Sequence, residues 1–374
     1  MSELFDASVY ADRLGCAQGL LRERGLAGIV IGPGPELAYL TGSWTSSHER
    51  LTALTVTPTK SRLIAPETDL HSLADSAVSE LDVEVLGWAD GEDAHALAAA
   101  PVLEGDADGA VGLGDSLTTR HVLALQELFA PRETKVAALA LAELFTRKDA
   151  AEIEQLRAAG RAIDAVHAKV PELRRAGRTE AEVAADIDKL ILERHGVVDF
   201  VIVGSGPNGA NPHHDFSDRV LEDGDMVVVD IGGTYGVGYH SDCTRTYVVG
   251  GDPATLPEEA RSMYAVLAEA QEAAVAAVRP GVTAASIDDV ARSRITEAGY
   301  GEAYFHRTGH GIGLSTHEEP FIMAGNDLVL EPGMAFSVEP GIYLRGRFGA
   351  RIEDIVVVTE DGCERLNEGP RELR

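Results

Sequence analysis

Four carboxylates in this sequence stand where apolar strands should end. Asp230 closes the run Met226-Val227-Val228-Val229, and Asp242 lies twelve residues later; Glu339 closes Ala335-Phe336-Ser337-Val338, and Glu353 lies fourteen residues later. A carboxylate at the buried end of a valine strand is costly unless it is paired or bound to a metal. Four that converge need cations. Thr308-Gly309-His310-Gly311-Ile312-Gly313 adds an imidazole between glycines, where backbone can approach closely. A donor set of oxygen and nitrogen without sulfur suits Mn²⁺, Co²⁺, Fe²⁺ or Zn²⁺. Two such ions about 3.5–4 Å apart polarise a carbonyl and generate hydroxide near neutral pH.

These residues must be carried by matching elements, and the sequence from Lys148 onward supplies them twice. A helix capped by Asp149 is expected to reach about residue 175. A second, with Thr179 and Glu182 in a capping-box arrangement, should run to His195. A strand at 200–203 and a hairpin of 221–230 with 239–249 follow. The order then recurs: a helix over 257–278, one starting at Thr283 or Ser286 and ending near Gly299, a strand at 304–308, then 330–339 and 350–359. Leu221-Glu222-Asp223-Gly224 and Leu330-Glu331-Pro332-Gly333 open the two hairpins in the same way. A repeat of roughly a hundred residues implies two related halves packed face to face with a cleft between their sheets. The preceding 145 residues read as a separate α/β unit. It has helices over 8–25, 118–129 and 134–145, strands over 26–32, 51–57, 61–65 and 83–86, and no catalytic constellation.

Composition narrows the function. The chain has 374 residues and a net charge of −29, which disfavours nucleic acid and anionic membranes as partners. Cys16, Cys243 and Cys363 are odd in number, with no CxxC pair, so a disulfide framework is not expected and a reducing, cytoplasmic compartment is. The first thirteen residues do not read as a signal peptide, and no apolar run approaches the ~18 residues of a membrane span.

Five segments then carry a resemblance. Val229-Asp230-Ile231-Gly232, Ser241-Asp242-Cys243-Thr244-Arg245-Thr246, Gly309-His310-Gly311-Ile312-Gly313, Ser337-Val338-Glu339-Pro340-Gly341-Ile342-Tyr343 and Arg351-Ile352-Glu353-Asp354 resemble, in order and spacing, the pita-bread metallopeptidases. That family includes prolidase, aminopeptidase P and methionine aminopeptidase. Tyr39-Leu40-Thr41-Gly42 and the layout of the first 145 residues resemble the creatinase, prolidase and aminopeptidase P branch.

The resemblance implies an α+β fold: a creatinase-type α/β domain over 1–145 and a pita-bread catalytic domain of two pseudo-symmetric halves over 146–374. It implies two divalent ions per chain, Mn²⁺ first and Co²⁺, Fe²⁺ or Zn²⁺ as alternatives. Asp230 would chelate one, Asp242 and Glu353 would bridge both, and His310 and Glu339 would hold the other, with Glu339 also shuttling a proton. His213 and His317 match two histidines beside the scissile carbonyl, and Arg351 matches a substrate-side arginine. The implied substrate is a small Xaa-Pro peptide, and the implied assembly a homodimer in which the loop Thr41-Gly42-Ser43-Trp44 is the candidate contact.

Other readings stand beside these. The same fold could hydrolyse non-proline peptides or non-peptide amides, work without metal as creatinase does, or only bind partners; the intact ligand set disfavours the last two. His213 is preferred to its neighbour His214. Tyr239, His240 and His306 lie near the site as packing residues, and Cys243 should face away from the ligands. His48, His71, His95, His121, His167 and His195 read as surface or helix-end residues. Glu331 reads as a turn residue. The glycine-rich 204–209 lacks a phosphate-loop lysine and reads as the loop that delivers His213.

Overall fold

A computed structural model describes residues 4–46 and 49–374; His48 lies outside the described residues. The chain divides into two compact units, Met1–Phe145 and Thr146–Arg374.

The first unit runs α1 (Ala7–Glu23), β1 (Gly28–Ile31), α2 (Pro35–Thr41), β2 (Ala53–Val56), β3 (Ser61–Pro66), β4 (Glu84–Trp88), α3 (Ala94–Leu103), β5 (Val111–Leu113), α4 (Thr119–Phe129), β6 (Thr134–Val136) and α5 (Ala138–Thr146). Its six strands form one mixed sheet in the order β4-β3-β2-β1-β5-β6. The helix expected over 134–145 begins instead with a strand, because 134–136 pair in parallel with β5 before the chain turns helical. Sheet pairing overrides the helical pattern there.

The second unit builds its halves on a repeated plan. The first half contains α6 (Ala150–His167), α7 (Val170–Leu173), α8 (Glu180–Leu192), β7 (Val197–Ser205), β8 (Met226–Tyr235) and β9 (Tyr239–Val248). The second contains α9 (Glu258–Ala277), α10 (Ala284–Glu297), β10 (Gly309–Gly311), β11 (Glu318–Ile322), β12 (Ala335–Val338), β13 (Gly341–Leu344), β14 (Phe348–Arg351), β15 (Asp354–Val358) and β16 (Cys363–Arg365). Asp149 and Thr179 each close a capping box, and Thr283 caps α10. The single helix expected from Asp149 to about 175 stops at His167: Pro171 has no N–H to continue the ladder, and only the short α7 follows.

Alternation along the strands sorts the side chains. Val227, Val229, Ile231, Cys243 and Tyr247 pack with Ile163, Val183 and Ile187 of the helices in one apolar cluster. The intervening Asp230, Asp242 and Thr244 therefore face the other way. In the second half Phe336, Val338, Val356 and Val358 pack with Ala274, Ile287 and Ala291.

The halves differ at the hairpin. β8 and β9 form an unbroken hairpin in which Asp230 pairs with Thr244 and Gly232 with Asp242. The matching hairpin is interrupted. β12 pairs with β15 up to Val338–Asp354, and β13 pairs with β14 from Gly341–Arg351. Pro340 cannot donate to a ladder, so the strands expected over 330–339 and 350–359 part there, at Glu339 and Glu353. The strand expected at 304–308 is also absent. Arg292 takes the carbonyls of Tyr304 and His306 at 3.2 and 2.8 Å, which removes two ladder acceptors.

Candidate metal centre

The five sequence-selected ligands meet in one cleft of about 1080 Å³ inside the second unit. β8 supplies Asp230, β9 Asp242 and β10 His310, while Glu339 and Glu353 occupy the two breaks in the second hairpin. The glycines beside His310 let its strand lie against its neighbours. A Cβ on Gly309 would fall 1.8 Å from the Ser337 carbonyl oxygen, and one on Gly311 would fall 2.2 Å from that of Glu319.

Ligand atoms of Asp242, His310 and Glu353 lie within 4.8 Å of one another. His310 Nε2 is 3.2 Å from Glu339 Oε1 and 3.7 Å from Asp242 Oδ2. All are buried except Glu339, whose side chain keeps 15% exposure. Thr244 Oγ1 donates to Glu353 Oε2 at 2.8 Å. Glu353 Oε1 and Asp230 Oδ1 are enclosed without a hydrogen-bond partner.

The electrostatics follow from that enclosure. Burial first, then the neighbouring carboxylates, push Asp242 and Glu353 well above the ordinary carboxylate range. Burial also raises Asp230 against the pull of Arg351. Burial pushes Glu339 the same way, but the hydrogen bond and charge of His310 overcome it and hold Glu339 at about 2. Burial thus disfavours the charged forms of Asp230, Asp242 and Glu353. Two orphaned oxygens in a buried O/N donor set fit divalent cations.

The remaining expected residues fall as follows. His213 and His317 both line the cleft and are exposed, and the His317 ring lies 4.1 Å from that of His310. Burial, then the charge of His310, lower His317 to about 4. His214 turns away and donates through Nε2 to Glu180 at 2.8 Å. Arg351 lines the cleft, yet its donors are already engaged: by Asp230 Oδ2, by Tyr343 Oη at 2.8 Å, by Thr244 Oγ1 at 3.1 Å and by the Pro212 carbonyl. Tyr343 Oη in turn lies 3.0 Å from His306 Nε2.

Three of the histidines expected at the surface or at helix ends are buried. His121 lies 3.0 Å from His95. His195 lies 2.9 Å from Ser241 Oγ. His167 sits between Tyr247 Oη and the Cys243 carbonyl, at 2.9 Å from each.

Sequence reasoning missed two supports. Arg245 pairs with Asp354 at 2.8 Å and donates to the Glu353 carbonyl, fastening one ligand-bearing strand to the other. Glu180 is fully buried beneath the loop that carries His213. A signal existed for it: the buried positions of α8 are Glu180, Val183, Ala184, Ile187 and Ile191, so an acid stands on the apolar stripe.

The family described as metallopeptidase family M24 matches residues 154–360, and the creatinase/prolidase N-terminal domain matches residues 13–144. The probable dipeptidase PepE of Mycobacterium tuberculosis is 52% identical over 374 residues, covering 100% of this chain and 98% of that protein. The Xaa-Pro dipeptidase of Lactobacillus helveticus is 37% identical over 345 residues, covering 90% and 92%. The crystal structure of dipeptidase PepE from Mycobacterium ulcerans superposes with a TM-score of 0.94 at 51% identity, covering 99% of each chain.

Proposed function

Because the chain belongs to metallopeptidase family M24, we propose that it hydrolyses Xaa-Pro bonds in short peptides with two divalent ions held by Asp230, Asp242, His310, Glu339 and Glu353. The observation that carries this reading is the pair of enclosed, unpartnered oxygens, Asp230 Oδ1 and Glu353 Oε1, in a buried cluster of acids around His310.

The ions, when bound, supply Lewis acidity for the scissile carbonyl and ease deprotonation of water. The chain's own residues do the rest. His213 and His317 present ring N–H donors where the carbonyl oxygen gains charge. Glu339, the least enclosed of the acids, takes the proton from the attacking water and returns it to the proline nitrogen as the C–N bond breaks. Phe200, Ile202, Pro212 and Phe305 give the cleft apolar wall for a pyrrolidine ring. Arg351 orients Asp230 through its direct hydrogen bond.

The finer reading is a cytoplasmic homodimer that uses Mn²⁺. The oxygen-rich donor set supports the metal, and three unpaired cysteines support a reducing compartment. The names of the dipeptidase and Xaa-Pro dipeptidase relatives support the substrate.

The test is hydrolysis of Ala-Pro, Ala-Pro-Ala and Ala-Ala after chelation and reconstitution with Mn²⁺ or Co²⁺. Cleavage of Ala-Pro that requires added metal is expected. Ala-Ala cleaved as fast as Ala-Pro would remove the proline assignment, and inactivity on all three would remove the peptidase reading.

A further inference from the structure

The strand β7 ends at Ser205, and the chain then crosses the cleft wall before returning at Ser217. This stretch carries His213 and also Pro207, Ala210, Asn211 and Pro212 of the lining. It contains no strand and only one short turn of helix, over Gly206–Ala210. Something other than a ladder must fix its shape.

Glu180 does so. It is the first residue of α8, where the helix dipole favours an anion, and its carboxylate has no exposure at all. Oε1 accepts from Ser205 N at 2.7 Å, Ser205 Oγ at 2.6 Å and Asn208 Nδ2 at 3.1 Å. Oε2 accepts from Asn208 Nδ2 at 3.1 Å, His214 Nε2 at 2.8 Å, Ser217 N at 3.0 Å and Ser217 Oγ at 2.7 Å. Seven hydrogen bonds thus reach one carboxylate from the start, middle and end of the loop. The stem is closed beside them: Ala181 N donates to Ser217 O and Glu180 N to Arg219 O, both at 3.0 Å. Arg219 ties Ser205 Oγ to Asp225, at 2.6 Å to each.

The consequence falls on His213. Its neighbour His214 is spent on Glu180, while His213 lines the cleft. We propose that Glu180 is the positioning residue for His213: its carboxylate folds the 205–217 loop around itself and thereby sets where the His213 imidazole stands over the ligand cluster. Glu180 touches neither substrate nor ligand residue and acts only through the loop. The proposal rests on the role assigned to His213 above.

A double-mutant cycle tests it on the metal-reconstituted full chain, with kcat and KM for Ala-Pro, bound metal and melting temperature read for Glu180→Gln, His213→Ala and the double variant. Gln keeps the shape but faces its amide NH₂ against the loop's donors. Glu180→Gln is expected to keep its metal and lower kcat roughly 10- to 100-fold, the scale of a small misplacement. In the His213→Ala background the same change should cost less than about 2-fold, because the residue it positions is gone. An equal factor in both backgrounds means a general structural role and overturns the proposal, as does an unchanged kcat in Glu180→Gln. An unchanged kcat in His213→Ala overturns the role of His213 and the positioning with it. If Glu180→Gln does not fold, Asn208→Ala, which removes one donor at the loop's midpoint, takes its place in the cycle with the same pattern expected at smaller amplitude.

Discussion

Arg351 and Asp230 are joined by a direct hydrogen bond between Nη2 and Oδ2, and this leaves Oδ1 as the enclosed oxygen free for a cation. The guanidinium expected on the substrate side thus holds Asp230, with Tyr343 and Thr244 as its further partners. Arg351→Ala should therefore reduce kcat/KM on Ala-Pro and on Ala-Pro-Ala by similar factors, roughly 10- to 100-fold, the range for losing a residue that orients a metal ligand. A loss on the dipeptide tenfold greater than on the tripeptide would show that Arg351 reads the free carboxylate.

Asp242 lies 3.7 Å from His310 and shares a 4.8 Å cluster with His310 and Glu353. Elemental analysis of reconstituted, desalted protein is expected to find about two divalent ions per chain, and Asp242→Ala should lose both, since a bridging carboxylate serves both. Full metal content with full activity in that variant would overturn the ligand assignment.

His213 and His317 line the cleft without lying among the carboxylates' direct partners. His213→Ala and His317→Ala should retain metal and lose roughly 10²–10³ in kcat, the scale for removing an oxyanion donor. Loss of metal would make either histidine a ligand.

His167 is buried between Tyr247 and the Cys243 carbonyl, and burial, then the charge of Arg245, lower it to about 3. An unfolded histidine titrates near 6.5. Below that pH the unfolded chain binds a proton that the folded chain refuses, so stability falls as pH falls, and the loss ends only near pH 3. His167→Gln should flatten the dependence of unfolding free energy on pH between 6.5 and 4 by up to about 1.4 kcal/mol per pH unit. Denaturant titrations at stepped pH measure this, and an unaltered slope would mean that His167 titrates in the fold as it does in the unfolded chain.

The sequence displayed the ligands because their pattern violates the apolar run that contains them: a carboxylate after Val229, another after Val338, each with a partner on the returning strand. The repeat was legible for the same reason, since alternation and capping residues recur in order. What stayed hidden was whatever depends on a distant partner. Nothing local announces that Arg292 will take the carbonyls of 304 and 306 and cancel a strand, or that Arg351 will turn toward Asp230. Glu180 lies between these cases. It sits on an apolar helix stripe, which was visible, while donors such as Ser217 and His214 come from a loop that no local pattern ties to it.

Arg245 and Asp354 belong to different repeats, and the backbone bond from Glu353 N to Thr244 O crosses the same seam. Separating the halves would break this buried pair together with the backbone bond beside it, leaving Asp354 its second-half partners Arg371 and Gln271. Neither half can loosen while the other stays intact. Residues 146–374 should thus melt as one cooperative block, and a gene fragment encoding a single repeat would yield a chain that needs a second copy of itself, docked face to face, before it could hold a shape.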